Sequence, residues 1–470
     1  MNYKSILFFL GLFLFPLSGL SFINILYSTY FDYFLSIESY TLTFFLTLLA
    51  GSALCFYFKN TEKKLSFYDQ LLLIILVYIF SALFISLPYY FSNYQIHFLD
   101  ALFESFSGLT STGFSIFNNI KYLDPTLILW RSSSQWIGGF YFLLFLVIIF
   151  SNNQYKYKLN YLTYTGNNST FSSSNLKKVL LQIFLVYSIL TFFIFIILNL
   201  GGVRMFNSLN FSMTIISNGG FLPTDNLSQI FNNDNNYILI IVLLISALNI
   251  FLFLNIINKK KLINNHQEDL FLILFVTMIS LILFFLLKSN SINEIVINIL
   301  SSISNSGITL SKSVDQKLLY IILCIIGGSL ISNSSGVKFL RIYILLKTAA
   351  AEIIKIVRPN NVFNNTIFYS NTKIDNTTIN LSFLIFISFF ISVFILSSIL
   401  ILDNINFENS FKLSILTLTN TTNSSLYGLA DLNFANFLSS TKIFLIIFMI
   451  IGKIELISVL ILFKKILFKE

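Results

Sequence analysis

Charged residues are scarce in this sequence. Only 10% of its 470 residues are Asp, Glu, Lys or Arg, against about 25% in an ordinary soluble domain. Hydrophobic residues make up 56% of the chain, and the mean hydropathy is +0.81. Because a single hydrophobic core stops growing at roughly 250–300 residues, this balance excludes a cytosolic enzyme, a secreted disulfide-rich domain and a disordered regulator. It leaves a polytopic membrane protein.

The residues that build catalytic and metal sites are scarce as well. The two histidines, His97 and His266, fall in predicted loops, where we expect solvated side chains. The two cysteines, Cys55 and Cys324, fall inside apolar runs and have no metal-ligand spacing. The sequence contains neither a Walker A motif nor a G-x-G-x-x-G motif. We therefore predict that the chain is not an enzyme and binds no organic cofactor.

Long apolar runs are what the sequence has instead. A helix needs about 20 residues to cross a bilayer, and unbroken runs of that length exclude an outer-membrane barrel, whose strands alternate in polarity. The sequence predicts ten transmembrane helices, near residues 5–28, 40–59, 68–91, 126–151, 177–200, 236–258, 267–288, 317–347, 379–402 and 440–467.

The net charge of +9 fits this topology. With the N-terminus inside, most Lys and Arg residues fall on the cytoplasmic side, among them Lys63, Lys64, Lys156, Lys158 and the run Lys259–Lys261. Positive residues collect in the cytoplasmic loops of membrane proteins, so the basic charge indicates membrane orientation rather than nucleic-acid binding. An even number of spans then puts both termini in the cytoplasm.

Four gaps on the outer side share one pattern. Each begins with a semi-apolar segment too short to span the membrane, continues with a cluster of small polar residues, and ends at the next span. The short segments lie near Phe98–Leu109, Phe206–Ile216, Ile292–Ile303 and Phe407–Leu418. The unit of span, half-helix, polar turn and span therefore occurs four times, which is typical of internal duplication around a common axis.

These repeats define the organisation of the chain. We predict an all-α polytopic membrane protein in which four repeats surround a pseudo-fourfold central pore, preceded by two extra helices. The predicted boundaries are residues 1–65 for the extra helices and 66–155, 176–260, 265–350 and 376–470 for the four repeats.

The four polar turns are the candidate site. Irregular backbone at membrane depth is tolerated only where it is buried or lines water, and four such turns around one axis offer carbonyl oxygens that can replace the hydration shell of a monovalent cation. One such turn alone is an ordinary loop, but four at equivalent positions favour an ion filter. The predicted filter residues are Thr110, Ser111, Thr112, Gly113, Ser217, Asn218, Gly219, Gly220, Ser304, Asn305, Ser306, Gly307, Asn420, Thr421, Thr422 and Asn423.

Acidic residues accompany three of the half-helices. Glu104, Glu294 and Glu408 lie near the predicted half-helix starts, where a negative charge suits the positive end of the helix dipole. We expect these carboxylates to make the outer mouth of the pore attractive to cations.

The eighth apolar run is interrupted by small polar residues. Ser and Asn side chains compete with the helix for backbone hydrogen bonds, and glycine adds flexibility. Two interpretations stay open: a gate inside the membrane, or a kinked helix with small residues for close packing. Lys453 in the last run is an electrostatic barrier at the pore, or one member of a Lys453–Glu455 or cytoplasmic-end pair that only orients helices, or a side chain that reaches to the membrane surface. The candidate gate residues are Gly327, Gly328, Ser332, Asn333, Ser334, Ser335, Gly336, Lys338 and Lys453.

Four motifs along the chain carry a family resemblance. Residues 103–114 read FESFSGLTSTGF, and residues 130–139 read WRSSSQWIGG. Residues 327–338 contain three glycines, and the segment Arg358–Asn360 follows them further along the chain. Residues 452–455 read GKIE. In this order they resemble the first pore loop, the W-R-x-x-x-Q-W-x-G-G signature, the gate and the terminal G-R-x-E of the TrkH family, within the wider TrkH/KtrB/HKT superfamily of potassium transporters.

The resemblance implies a fold and a function. It implies a K⁺ filter with one segment per repeat, here residues 110–113, 217–220, 304–307 and 420–423, and an intramembrane gating loop, here residues 327–338. It also implies a homodimer in the bacterial inner membrane, surrounded by lipid and controlled by a separate TrkA-type nucleotide-binding cytoplasmic subunit. The expected function is K⁺ uptake through the filter, with K⁺ as the transported ion.

Three departures from the family pattern keep alternatives open. We align Asn423 with a glycine of the fourth filter segment and Lys453 with the arginine of the terminal motif. The gate also has Ile331, Ser334 and Ser335 where glycines are expected. A Na⁺-permeable or weakly selective transporter and a non-conducting subunit with a degenerate pore are the two alternatives. A membrane enzyme acting on lipid-linked substrates would need a clustered acid-base or metal set, which the sequence lacks.

Overall fold

The computed structural model describes residues 2–32, 37–61, 65–150, 173–224, 227, 230–231, 236–257, 266–287, 291–310, 314, 316–358, 366–368 and 374–468. Several predicted features lie outside this part of the chain: Lys63, Lys64, Lys156, Lys158, Lys259–Lys261, the Pro359-Asn360 pair, and the predicted boundaries at residues 1, 155, 260, 265 and 470.

The described residues form α-helices and no β-strand, which confirms the all-α fold class. We number the helices in chain order: α1 (Tyr3–Tyr30), α2 (Ile37–Tyr57), α3 (Phe67–Tyr90), α4 (Phe98–Leu109), α5 (Pro125–Phe150), α6 (Ser173–Leu200), α7 (Met205–Ile216), α8 (Asn236–Ala247), α9 (Ile250–Ile257), α10 (Gln267–Leu286), α11 (Ile292–Ser304), α12 (Lys317–Ile326), α13 (Phe339–Val357), α14 (Asn376–Leu402), α15 (Phe407–Leu418), α16 (Ser439–Ile454) and α17 (Leu456–Phe468).

The long helices follow the predicted spans. By length and composition, α1, α2, α3, α6, α10 and α14 are each apolar enough to cross a membrane, and the bent pair α8–α9 is a seventh candidate. Helix α5 and the pairs α12–α13 and α16–α17 occupy the remaining predicted runs. The order of elements is therefore consistent with the ten-span pattern.

The four half-helices form a closed ring with the spans. Helices α4 and α15 have the predicted bounds, while α7 begins one residue earlier and α11 ends one residue later. Each half-helix packs between the two spans of its own repeat. Each also packs against the second span of the preceding repeat, through the pairs α5–α7, α8–α11, α12–α15 and α16–α4. The last pair joins the fourth repeat to the first, so the four repeats surround one axis.

Two spans that we predicted to be continuous are broken. Helices α8 and α9 meet at an angle of 98°, where the Asn249 N–H donates to the Asp269 carboxylate at 3.0 Å and the Ile250 N–H donates to the Ile331 carbonyl at 3.1 Å. Helix α16 ends at Ile454, and the next residue, Glu455, has a φ of 68° and pairs with Arg341 at 2.8 Å. Both breaks are stabilised by groups far away in sequence, which a hydropathy window does not detect.

The two N-terminal helices pack outside this ring. Helices α1 and α2 lie against each other, and a Cβ atom on Gly11 would lie 2.9 Å from the Gly51 carbonyl oxygen. Such close approach of small residues is the usual basis of helix association in lipid. Large apolar side chains such as Phe45, Met278 and Phe394 are exposed on the spans, which agrees with a lipid-facing surface.

Candidate functional site

The four polar turns share one backbone geometry. A residue in the left-handed conformation follows each half-helix: Ser111 (φ 59°), Asn218 (φ 54°), Asn305 (φ 63°) and Asn420 (φ 48°). The next residue in each turn donates its N–H to a carbonyl five positions earlier. These donor and acceptor pairs are Thr112–Ser107, Gly219–Thr214, Ser306–Ser301 and Thr421–Leu416. The repeated bonds fix the register of the four turns relative to one another.

This register corrects our alignment of the fourth turn. Gly113, Gly220 and Gly307 each lie two positions after the left-handed residue, and the equivalent position in the fourth turn is Thr422, not Asn423. The run of similar small polar residues in the fourth turn allowed the one-residue error. The equivalent segments are residues 110–113, 217–220, 304–307 and 419–422.

The Thr422 side chain lies between the other three turns. A Cβ atom built on Gly220 would lie 2.3 Å from the Thr422 Cβ, and Cβ atoms built on Gly113 and Gly307 would lie 3.0 and 2.7 Å from Thr422 carbon atoms. The Thr422 hydroxyl donates to the Gly113 carbonyl at 3.0 Å. One threonine therefore fills space that the three glycines leave free.

A cavity of about 400 Å³ adjoins these residues and is lined from all four repeats. Its wall includes Gly113, Gly220, Gly307 and Thr422, with Asn423 beside them. The structure thus brings the four predicted turns together at a single space, whose lining also includes Arg131 and apolar side chains such as Phe221.

A buried ion pair lies behind the first turn. The Arg131 Nε donates to Glu104 Oε1 at 2.9 Å, and the same carboxylate accepts the Ile116 N–H at 2.9 Å. Our expectation that Glu104 lies at the outer mouth is wrong, because the middle of α4 is fully buried. The Arg131 guanidinium also lies 4.1 Å from the centre of the Phe221 ring, so this pair connects the chain after the first turn with the chain after the second.

The residues around Arg131 explain the motif at 130–139. A Cβ atom on Gly138 would lie 1.9 Å from the Leu109 carbonyl oxygen, and one on Gly139 would lie 2.7 Å from the Ser217 Cβ. The Gln135 amide oxygen accepts the backbone N–H that follows the second turn, at 3.3 Å. Helix α5 therefore holds the first two turns through contacts that tolerate no larger side chain at either glycine.

Residues 327–338 form a folded non-helical loop between α12 and α13, so the kinked-helix interpretation is wrong. The Lys338 ammonium lies inside this loop and donates to the carbonyls of Ser329, Ser332 and Ser334, at 3.4 and 3.1 Å for the first two. One buried cation thus holds much of the loop backbone together.

The loop touches both a half-helix and the last span. The Asn333 amide donates to the Ile216 carbonyl at 2.6 Å, at the end of α7. The Lys453 ammonium donates to the Asn333 carbonyl at 3.3 Å. Glu455 pairs with Arg341 at 2.8 Å, so the alternative of a Lys453–Glu455 pair is wrong. Lys453 lies where the loop and the last span meet, which favours its assignment to the gate residues.

Sequence reasoning missed a polar cluster at the start of α10. Glu268 accepts the Leu330 N–H of the loop at 2.7 Å. His266 is buried, with its two ring nitrogens 2.7 Å from the Asn255 amide and 3.2 Å from the Asp269 carboxylate. Our expectation of a solvated His266 is wrong. Polar residues just before an apolar run look like an ordinary helix start, so this role cannot be recognised from the sequence pattern.

Comparisons with known proteins extend this description. The family model for TrkH, a cation transport protein, matches residues 36–307, which is more than half of the chain. An uncharacterized cation transporter of Methanocaldococcus jannaschii is 26% identical over 452 residues, which cover 92% of this chain and 90% of that protein. The Trk system potassium uptake protein TrkH of Salmonella typhimurium is 25% identical over 454 residues, which cover 92% of each chain.

A solved structure shares the fold. The crystal structure of the potassium transporter TrkH from Vibrio parahaemolyticus aligns with a TM-score of 0.86 over 98% of both chains, at 22% sequence identity. The ring of four half-helices and the broken spans described above belong to a fold that this alignment covers almost completely. Together with the match over residues 36–307, it identifies the chain as a member of the TrkH family of cation transport proteins.

Proposed function

We propose that this chain takes up K⁺ across the bacterial inner membrane through a filter formed by its four turns. The observation that carries the proposal is the meeting of four equivalent left-handed turns beside one cavity. A relative named for potassium uptake supports K⁺ as the ion. A membrane potential drives inward movement of a cation by about 2.3 kcal/mol per charge for each 100 mV.

The chemistry of the turns suits a monovalent cation. Each half-helix ends at its filter segment, so four helix C-termini, each equivalent to roughly half a negative charge, face the same region. Carbonyl oxygens of irregular backbone replace water around an alkali cation at modest cost. The turns contribute no carboxylate of their own, which favours weak binding and rapid release over tight capture.

The loop at residues 327–338 is the proposed gate. It contacts α7 through Asn333 and the last span through Lys453, and two ammonium groups, Lys338 and Lys453, lie within or against it. A positive charge beneath a cation filter opposes conduction. Moving the loop aside therefore requires breaking the hydrogen bond between Lys453 and Asn333, and a change in the loop's own shape also breaks the bonds of Lys338.

Replacing Lys338 by methionine should raise the basal cation flux. Methionine has a similar length but donates no hydrogen bond, so the loop carbonyls of Ser332 and Ser334 lose their shared donor. We expect an increase of about five- to tenfold in rubidium flux into liposomes. The exposed Lys355 provides the control variant Lys355→Met, and a Lys338→Met flux at or below the wild-type level contradicts the role of this lysine.

Partners and topology are part of the same proposal. We infer cytoplasmic termini, a homodimer in lipid, and a separate TrkA-type nucleotide-binding subunit on the cytoplasmic side. The end of α13, one helix beyond the gate, supports such a partner because it exposes Ile353, Ile356 and Val357 next to Lys355. An exposed apolar patch rimmed by polar residues is typical of a protein-binding surface.

Growth and flux measurements test the proposed function. The chain is expressed in a bacterium that lacks potassium uptake, with and without a TrkA-type partner, and growth is measured on low-K⁺ medium. Purified protein in liposomes is tested in parallel for rubidium and sodium flux. Rescue together with rubidium flux supports K⁺ uptake, and dependence on the partner supports the regulatory ring. Absence of both flux and rescue, with protein present in the membrane, favours the non-conducting subunit.

A weakly selective cation pathway is the second candidate function, and Thr422 is the observation that favours it. The Thr422 hydroxyl occupies a lone pair of the Gly113 carbonyl, which leaves that oxygen less able to coordinate an ion. The threonine side chain also makes the fourth segment unlike the other three. A filter with unequal segments discriminates less between ions of different size.

Thr422→Gly should therefore increase discrimination between K⁺ and Na⁺. Glycine removes both the hydrogen bond to Gly113 and the side chain between the segments, so we expect the ratio of rubidium to sodium flux to rise about tenfold. Thr422→Ser keeps the hydroxyl and removes only the methyl group, which separates the two causes. An unchanged ratio in both variants would show that Thr422 does not limit selectivity.

A further inference from the structure

Three of the four filter turns donate a side-chain hydrogen bond, called the tie below, to the helix that follows them, which is the second span of the same repeat and is called the inner helix below. The amide nitrogen of Asn218 donates to the Ser246 carbonyl at 3.2 Å. In the third and fourth turns, Asn305 donates to the Cys324 carbonyl at 2.8 Å and Asn420 to the Met449 carbonyl at 2.9 Å. These residues are the left-handed residues of their turns. Asparagine suits this position for two reasons: it tolerates the left-handed backbone, and its side-chain amide donates a hydrogen bond.

The tie coincides with a break in the helix. Ser246, Cys324 and Met449 each lie within about two turns of the point where their helix ends, at residues 247, 326 and 454 respectively. The first repeat differs in both respects. Its left-handed residue is Ser111, whose buried hydroxyl has no hydrogen-bonding partner among the described residues, and its inner helix α5 continues without a break from Pro125 to Phe150.

Two of the accepting carbonyls lack their usual backbone donor because the helix breaks there. In a continuous helix, Ser246 would accept the N–H of Ile250 and Cys324 that of Gly328. Instead, the Ile250 N–H donates to the Ile331 carbonyl at 3.1 Å, and the Gly328 N–H donates to the Ser334 hydroxyl at 3.0 Å. The asparagines thus occupy carbonyls that the two breaks leave without a helical donor.

The loop at 327–338 satisfies neighbouring carbonyls at the same helix ends. The Ser329 N–H donates to the Ala247 carbonyl at 3.2 Å, and the Val337 N–H donates to the Ile325 carbonyl at 3.0 Å. Each helix end therefore receives one set of donors from the filter and another from the loop. A helix that straightens recovers its own donor, and the asparagine then loses its acceptor.

From this arrangement we propose that Asn218 and Asn305 are positioning residues that couple the shape of the filter to the state of the gate loop. The proposal rests on the proposed function, since it assigns filter and gate roles to the two regions. Its content is specific: opening of the loop changes ion selectivity through these amides, and the first turn, which has no such tie, keeps its shape.

The test is a double-mutant cycle between filter and loop. The ratio of rubidium to sodium flux is measured in liposomes for the wild type, Lys338→Met, Asn305→Ser and the double variant. Serine is the residue that the first turn has at the equivalent position, so the substitution removes the tie and keeps a small polar side chain. We expect Lys338→Met to lower the ratio about fivefold in the wild-type background and to leave it unchanged in the Asn305→Ser background.

Further variants separate this coupling from general damage to the filter. Asn305→Asp keeps the size and the tolerance of the left-handed backbone but donates no hydrogen bond, and it replaces Asn305→Ser if that variant is unstable. In a Ser111→Gly background, the Lys338→Met effect on selectivity should persist. Equal effects of Lys338→Met in the presence and absence of Asn305 overturn the coupling alone. Absence of flux in the wild type overturns the proposed function, and the coupling with it.

Discussion

Replacing Gly113 by arginine should abolish cation flux while leaving the protein inserted in the membrane. The φ of Gly113 is +82°, and its place for a side chain is closed by Gly220 and Thr422, whose nearest atoms lie 2.9 to 3.0 Å from a built Cβ. A guanidinium at this position is forced into the cavity that all four repeats line, where it repels a cation and fills the path. Uptake is measured in cells, and the amount of inserted protein is measured by membrane fractionation.

A milder pair of variants shows whether the position or the charge is responsible. Gly113→Ala adds only a methyl group, but alanine in the left-handed conformation costs about 1–2 kcal/mol, so we expect flux to fall about five- to thirtyfold. Gly19→Ala is the matched control, because a Cβ on Gly19 meets nothing within 4 Å. Undiminished uptake by an inserted Gly113→Arg variant would remove Gly113 from the filter.

The sequence predicted the half-helices well because their signals are local. A short apolar segment, a small polar cluster and a long apolar run occur in a fixed order, and two of the four half-helices have the predicted bounds. The interruption of the eighth apolar run was also predictable from the sequence, since glycine, serine and asparagine are concentrated between Gly327 and Gly336. Local composition is sufficient wherever the cause of a structure lies within the segment itself.

The incorrect predictions concern features whose cause does not show in the local composition of the segment. The break between α8 and α9 depends on Asp269 and Ile331, and the burial of Glu104 depends on Arg131, 27 positions away. The register of the fourth turn required backbone hydrogen bonds, because Thr421, Thr422 and Asn423 are similar in size and polarity. For the helix break and for Glu104 the partner that decides the structure is distant in sequence, and for the fourth turn the deciding bond runs through the backbone, so no periodicity or composition reveals it.

The ion pair of Glu104 and Arg131 leads to the second large expected effect. Glu104→Gln should destabilise the protein by about 3–5 kcal/mol, because it leaves a buried guanidinium without its counter-charge. Both side chains are almost completely inaccessible to solvent. The carboxylate also accepts the N–H of Ile116, so the chain after the first turn loses an acceptor of full charge. We expect the midpoint of thermal unfolding in detergent to fall by several degrees, with cation flux lost in the protein that remains folded.

The same substitution at an exposed pair provides the control. Glu352 pairs with Lys355 near the end of α13, where both side chains are largely exposed, and an exposed pair contributes about 0–1 kcal/mol. Glu352→Gln should therefore leave the unfolding midpoint nearly unchanged. A double variant, Glu104→Leu with Arg131→Met, removes both charges and should recover part of the stability, since no unpaired charge stays buried. It should not recover flux, because the Arg131 contact with Phe221 is lost as well. Equal midpoints for Glu104→Gln and Glu352→Gln would mean that the buried pair does not hold the first two filter turns in place.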